Sequence, residues 1–528
     1  MNVDINLEKI NSCKIIAREK KVKIVEGEMI VSDIKPDILS LSNIDAEVYL
    51  TSKNVKDGSL SIDGMVDVCA IYISEDETAS LKSLNNVFEF QDTIMIEDLK
   101  ETSNVRVKLS RGPIEYKIIN SRKIGVKVPV TIEVVASNCE ETFVAKDIVD
   151  DRNIQTLKET FALNTMACCK EQEIQLSENV TLDEGSVPIG EILKATMKIE
   201  NPEYKISYNK ILVKADAIIK IIYIADSNIM SVETFEKTLP IMGFIESEGM
   251  DSDDEIKLEF DIKSFVIRPI YQDLKSMSFG VEGEVRARIC TYQKSEIEIL
   301  ADVYSPEVNL KCELEKIELN QNVINKSECT EIKQEVPVQD LENARILNIT
   351  ATPVIAKNSV LDEKIMIEGT LELDVLFFNR NTNTIEAKKV DVPVAQTIRV
   401  ENLKANMKPE IKIEVGNITY AKTSLNSIEV QVPLCVKVEV SKKEYINGIK
   451  GVEISDEEFP EIPSLIIYYV KPGDSLWKIA KKYRTTVEDI MKYNDLKDDK
   501  IFPGDQLMIA KKTKCRAVEL LWYEWKVI

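Results

Sequence analysis

The chain has 528 residues, 44% hydrophobic but only 6% aromatic, and its 90 Asp and Glu against 68 Lys and Arg leave a formal charge of −22. That length exceeds what one hydrophobic core organises, so three to five domains are expected, and the negative field opposes docking to nucleic acid or an anionic membrane. Histidine is absent, which removes Ser-His-Asp and Cys-His catalysis and His-ligated metal sites together.

The first segment, MNVDINLEKINSCKIIAREKK, is charged every few residues and holds no apolar run of signal-peptide length, so no export signal is expected. No later stretch reaches the roughly 18 uncharged apolar residues of a membrane-spanning helix. The most apolar run, 217–225, is short and broken by Lys220. A chain made and kept in the cytosol is the expectation.

From residue 31 onward one order of segments occurs three times. A lead-in (31–50, 187–199, 338–355) precedes a central apolar run (SLSIDGMVDVCAIYI at 59–73, KILVKADAIIKIIYI at 210–224, KIMIEGTLELDVLFF at 364–378). A pair of strand-like runs follows: 105–109 with 124–134, 256–260 with 279–289, and 411–415 with 428–440. The central runs begin 151 and 154 residues apart, and Val126 to Val430 spans 304 residues against 305 for Ser59 to Lys364. Two markers thus keep one offset. Within the runs apolar and polar residues alternate, as at Val105, Val107, Leu109 and at Ile411, Ile413, Val415, giving one buried and one wet face, the pattern of antiparallel sheets. The expected fold is mainly β, with three repeated modules of roughly 100 to 130 residues, each a small antiparallel sandwich or barrel.

The boundaries drawn are repeat one over 1–145, a connector with repeat two over 146–310, and repeat three over 311–450. Residues 150–163 read as a surface connector, either a short helix or extended. The acid-rich stretch 451–464, with prolines 460 and 463, reads as a flexible linker.

None of the ten cysteines forms a CxxC pair, so no zinc ribbon or thioredoxin-like site is indicated. Cys69 and Cys435 lie in apolar runs and read as small buried hydrophobes. The adjacent Cys168 and Cys169, and Cys515, are the weaker candidates for redox or cross-linking chemistry. No phosphate-cradling GxxxxGK[ST] or GxGxxG occurs, and no acid pair stands out among ninety. The chain reads as non-enzymatic, with no cofactor and no metal.

The segment 465–512 reads as a separate small domain. Ile466 to Val470 forms a strand and Pro472-Gly473 a turn. Asp474 or Ser475 caps a helix whose buried stripe is Leu476, Ile479, Ala480 and Tyr483. Thr486 caps a second helix with Val487, Ile490 and Met491 inward. Pro503-Gly504 then turns into a closing strand, Asp505 to Ile509, in the order βααβ. With its PGDSL and PGDQL turns, YYVKPGDSLWKIAKKYRTTVEDIMKYNDLKDDKIFPGDQLMIAKK at 468–512 resembles the LysM family. That resemblance implies a shallow groove for N-acetylglucosamine-containing glycans between Gly473, Asp474, Ser475 and Leu476 on one side and Ile501, Phe502 and Pro503 on the other. A single copy implies feeble glycan binding, since avidity comes from several, and so invites a docking role. Trp477 is expected to pack rather than stack on sugar. Residues 465–512 carry a net charge of +3 and 513–528 a net +1, against −26 for 1–464. The aromatic tail, 513–528, is expected to dock on the domain.

The repeats resemble the SPOCS module of spore-coat assembly proteins, through KPDIL at Lys35 to Leu39, the IDGMVDVCAIYI run and the VKVPV ending. The other lead-ins keep Ile192-Leu193 and Ile346-Leu347 without the Pro-Asp. Three such repeats and one LysM are the arrangement of spore-coat morphogenetic proteins. What this implies is a mother-cell cytosolic scaffold, recruited by a coat-basement ATPase to the forespore surface. The competing reading is a peptidoglycan-binding wall anchor.

Overall fold

The computed structural model describes residues 3–76, 80–149, 152–227, 231–246, 254–272, 275–338, 341–405, 407, 409–455 and 463–510. Repeat one is built from β1 (Asp4–Ile30), β2 (Ile38–Lys56), β3 (Ser59–Ser74), β4 (Leu81–Met95), β5 (Asn104–Arg111), β6 (Glu115–Asn120) and β7 (Lys123–Val149). The central apolar run becomes β3, the middle strand of a β2-β3-β4 meander whose first hairpin turns at Asp57-Gly58, with Gly58 at φ 75°. The meander packs on the inner half of a second sheet, where Val25 and Met29 of β1 and Val128 and Val130 of β7 meet Val66 and Val68 of β3. This second sheet does not stop at the core. β1 and β7 stay paired from Ile30↔Lys123 out to Asp4↔Val149, making a two-stranded arm.

Repeat two follows the same plan with β8 (Gln155–Thr181), β9 (Ile189–Ser207), β10 (Lys210–Ala225), β11 (Val232–Glu246), β12 (Glu255–Gln272) and β13 (Lys275–Tyr304). Repeat three comprises β14 (Asn309–Pro337), β15 (Ala344–Leu361), β16 (Lys364–Asn379), β17 (Thr384–Arg399), β18 (Pro409–Val415), β19 (Thr419–Ser424) and β20 (Ser427–Ser455). Their arms are β8–β13 and β14–β20. The arms are the main departure from the sequence expectation. Of the presumed connector, Gln155 onward is β8, extended and paired with the end of β13, so the helix alternative fails. Gly451–Ser455, assigned to the linker, instead closes the third arm against Asn309–Glu313; 456–462 lie outside the described residues. The charged alternation that hid these strands is what a narrow ribbon with little core to cover requires.

The three repeats close into a ring. Ile71, Ile222 and Leu376 share one apolar cluster with Leu81, Val232 and Ile385, all 5% exposed or less. Each triplet repeats at the 151- to 154-residue spacing of the sequence, so the cluster marks a pseudo-threefold axis. Around it each repeat meets the next lead-in strand: Cys69 Sγ of β3 lies 3.2 Å from the Leu193 carbonyl, Lys220 Nζ of β10 donates to Asn348 Oδ1 at 3.0 Å, and β17 of repeat three packs on β2 of repeat one. The arms gather on the same axis, burying Ile10, Val144, Leu163, Ile299, Ile317 and Ile446 together.

The degraded lead-in of repeat two still does its work. Tyr72 donates its hydroxyl to the Pro36 carbonyl at 3.0 Å, and Tyr223 repeats the bond to Val187 at 3.1 Å. The bond uses a backbone acceptor, which any residue supplies. Lys35 of KPDIL bridges repeats instead, reaching Glu191 at 2.7 Å.

A polar lattice also spans all three repeats. Arg106 of β5 binds Glu259 of β12 at 2.9 Å and Glu410 of β18 at 3.0 Å; Lys412 also pairs with Glu259, and Lys257 with Glu439 at 2.5 Å. Burial opposes ionisation of Glu259, but Arg106, Lys412 and Lys257 outweigh it and hold its carboxyl at about 2.

Cys435 departs from the expectation of reduced burial, and Cys169 takes the cross-linking alternative. Six cysteines are paired. They form three cross-strand cystines, Cys13–Cys139, Cys169–Cys290 and Cys329–Cys435, one per arm. Cys69, Cys168 and Cys312 stay free, and Cys515 lies outside the described residues. Each cystine closes a loop of more than 100 residues, worth about 4–5 kcal/mol on the chain-entropy account.

Two outcomes follow from the ring. Ile222→Ala is expected to cost about 2–5 kcal/mol in urea unfolding, with hydrogen-exchange protection falling in β3 and β16 as well as β10. Because the folded carboxyl of Glu259 lies below its unfolded value of about 4.5, its contribution is complete above that pH and is lost as pH falls toward 2. Glu259→Gln should flatten acid unfolding in that window and, by removing the carboxylate that Arg106 and Lys412 share while Arg106 keeps Glu410, cost about 1–3 kcal/mol at neutral pH.

Candidate functional site: a LysM groove docked on the second arm

The C-terminal domain consists of β21 (Leu465–Tyr469), α1 (Leu476–Tyr483), α2 (Val487–Tyr493) and β22 (Gln506–Ala510), with β21 and β22 antiparallel. Ser475 Oγ accepts from Lys478 N and Thr486 Oγ1 from Asp489 N, capping the two helices. Leu476, Ile479 and Ala480 of α1 and Ile490 of α2 pack against Leu507 and Ile509 of β22. Helix α1 ends at Arg484, whose φ of 56° turns the chain sharply into α2.

The two PGD segments are built alike. Lys471 N donates to Asp474 Oδ2 at 2.8 Å, and Phe502 N donates to Asp505 Oδ2 at 2.8 Å. Gly473 and Gly504 take φ of 85° and 100°, the left-handed conformation that glycine adopts without strain. The turns are then tied together, Gly504 N to the Val470 carbonyl at 2.8 Å and Val470 N to the Asp505 carbonyl at 2.9 Å. This brings the segment 473–476 and the segment 501–503 to one edge of the domain.

Within that edge the seven residues divide sharply. Asp474 is a turn lock: hydrogen bonds from Lys471 N and from the Tyr468 hydroxyl at 2.7 Å lower its pKa, and the same bond pushes Tyr468 up to about 12. Ser475 is the helix cap, and Leu476 is core at 2% exposure. Gly473 and Pro503 are exposed, Ile501 is half-buried, and Phe502 stands 69% exposed. The exposed part of that edge is therefore Phe502, Pro503 and Gly473.

Two further residues have no motif of their own. Trp477, on the outer face of α1, donates Nε1–H to Asp302 Oδ2 at 2.9 Å and meets the Tyr304 ring edge-on at 4.8 Å between centroids. Lys481 binds the other Asp302 oxygen at 2.5 Å, and Tyr304 donates to the Thr485 carbonyl at 2.9 Å. Tyr304 is 5% exposed and joins the apolar core of the small domain. Asp302 and Tyr304 end β13, so the small domain is seated on the tip of the second arm. Sequence placed Trp477 in packing but carried no signal for its partner, which lies 175 residues away.

The comparisons with known proteins divide along the same line. The LysM domain family matches residues 468–510. The family described as "SipL, SPOCS domain" matches 37–119, 188–269 and 344–423, one segment per repeat. The chain is a SPOCS-repeat protein with a C-terminal LysM domain. Both are non-catalytic binding modules, and the SPOCS family carries a sporulation context. The "Probable endopeptidase p60" of Listeria monocytogenes is 37% identical over 87 residues, covering 15% of this chain and 18% of that protein. The "Probable peptidoglycan endopeptidase LytE" of Bacillus subtilis is 40% identical over 66 residues, 12% and 20% of the two chains. These relatives share only their LysM portion with this SPOCS-repeat protein, which spans under a fifth of the length of the Listeria protein. No solved structure matches the chain.

The seat of the LysM domain is testable. Asp302→Ala removes a charge-assisted hydrogen bond and an ion pair, about 1.5–3 kcal/mol of docking. Small-angle scattering should then show a larger radius of gyration, with unfolding of the SPOCS ring unchanged.

Proposed function

We propose that this protein is a non-enzymatic scaffold in spore-coat assembly, working in the mother-cell cytoplasm and docking onto a coat-basement protein at the forespore surface through its LysM and SPOCS modules. The observation that carries this reading is the fusion of three interlocked SPOCS repeats to one LysM domain. Three modules fixed in a ring present several contact surfaces at set spacings, which is what a scaffold needs for avidity. A lone LysM groove with few open side chains holds a glycan only weakly, and a module seated on a rigid arm is well placed to dock on a protein. The mildly basic LysM domain against the acidic ring favours a partner with acidic surface at that end.

A peptidoglycan-anchoring role is the second reading. It is favoured by the exposed Phe502 beside two ordered turns and by the LysM relative of Bacillus subtilis, a probable peptidoglycan endopeptidase.

Capture from sporulating cells with the full chain, the 1–464 chain and a Phe502→Ala chain distinguishes the two. The scaffold reading expects the 1–464 chain to lose coat-protein partners, with sedimentation on purified peptidoglycan weak for all three. Retention of every protein partner by 1–464, with at least a tenfold loss of peptidoglycan sedimentation in both variants, would overturn it in favour of anchoring.

A further inference from the structure

Each arm carries one cystine joining the first and last long strands of its repeat at directly opposed positions: Cys13↔Cys139, Cys169↔Cys290 and Cys329↔Cys435. The pairs do not occupy one repeated position. Cys139, Cys290 and Cys435 lie 13, 9 and 5 residues beyond the corresponding Val126, Val281 and Val430. Opposed cysteines thus occur on three different rungs, whereas Cys69 faces Asp45 and Asn85, Cys168 faces Thr291, and Cys312 faces Val452.

Two of the three cystines also reach inward. Cys13 and Cys290 line a cavity of about 120 Å³ between the arms, together with Arg106, Lys257, Glu410 and Glu439. Met166 spans the seam between the first two arms, its carbonyl 3.2 Å from Cys13 Sγ and its sulfur 3.4 Å from Cys169 Sγ. The LysM seat, Asp302 and Tyr304, lies 12 and 14 residues beyond Cys290 on the same strand.

We infer that the three pairs are a thiol–disulfide latch on the arms, open when reduced and closed by a low-molecular-weight disulfide. One cysteine thiolate attacks the disulfide RSSR, forming a mixed disulfide and releasing RS⁻; the opposed thiolate then displaces the second RS⁻. Two protein thiols and one RSSR become one cystine and two RSH, the protons passing from the protein thiols to the leaving thiolates. In a reducing cytosol each arm is held by its strand ladder and its apolar contacts with the other arms, without a covalent cross-link. Oxidation staples the strands, and through the second arm it fixes the platform on which the LysM domain sits. The latch does not depend on which partner the protein binds.

The test equilibrates the full chain in glutathione buffers of set reduced-to-oxidised ratio, followed by differential alkylation with mass spectrometry and by hydrogen exchange. The expected result is oxidation in the three stated pairs, with Cys69, Cys168 and Cys312 still alkylated. Exposed Cys139 and Cys329 should make their pairs reducible before the half-buried Cys169–Cys290. Exchange in 155–163 and 295–304 should slow at least tenfold on oxidation, with β10 unchanged. A Cys169→Ser/Cys290→Ser chain should lose that slowing in the second arm, keep it in the other two, and match the reduced wild type otherwise. The latch is refuted if the cysteines are recovered as glutathione adducts or other pairings. It is equally refuted if arm exchange is the same in both redox states, or if the double variant still slows on oxidation.

Discussion

The structure depends on the meeting of three central strands at one axis. A three-stranded meander on a short sheet buries one face only, and each SPOCS unit has a second apolar face, represented by Ile71, Ile222 and Leu376, that is buried where the three repeats meet. The next repeat covers it, cyclically, so the covalent chain does what three subunits would do in a cyclic trimer. Stability is therefore shared, and a repeat cut from its neighbours would present that face to water.

The arms follow from the ring. Once the repeats are fixed about an axis, the first and last strands of each converge, and their far ends bury Ile10, Leu163 and Ile317 against one another. Apolar contact alone would leave the rotation of three similar units about the axis weakly specified. The lattice from Arg106 to Glu259 and Glu410 adds directional contacts that differ at each seam, at the desolvation cost that makes buried charges unforgiving of single substitutions.

The LysM domain shows how a binding fold is adapted by context. Its turns and caps are local, Tyr304 of the second arm joins its core, and Phe502 stays exposed beside the second PGD turn. The opposite side of α1 is committed, because Trp477 and Lys481 close on Asp302 and Tyr304. That commitment sets which side of the domain faces outward, and so which partners reach it.

Much of this was legible in the residues. Alternation at Val105, Val107 and Leu109, the fixed offset of the three central runs, and the two PGD turns determined antiparallel sheets, threefold repetition and the βααβ domain, since each is a local rule about which side chains face the core. The ring, the arms and the cystines were not legible in this way. Asp4–Ile30 and Gln155–Leu163 carry charge on both faces and gain strand structure only from partners more than ninety residues distant. Cys435 in its apolar run is indistinguishable from a buried hydrophobe until Cys329 is brought opposite. Likewise the two PGD turns could be found from sequence, but not that Asp474 and Ser475 accept backbone hydrogen bonds while Phe502 stays exposed. Sequence by itself determined the modules and their order, because periodicity is local. Tertiary structure alone decided how the modules close on one another and where the LysM domain sits, because those contacts join residues that no spacing rule relates.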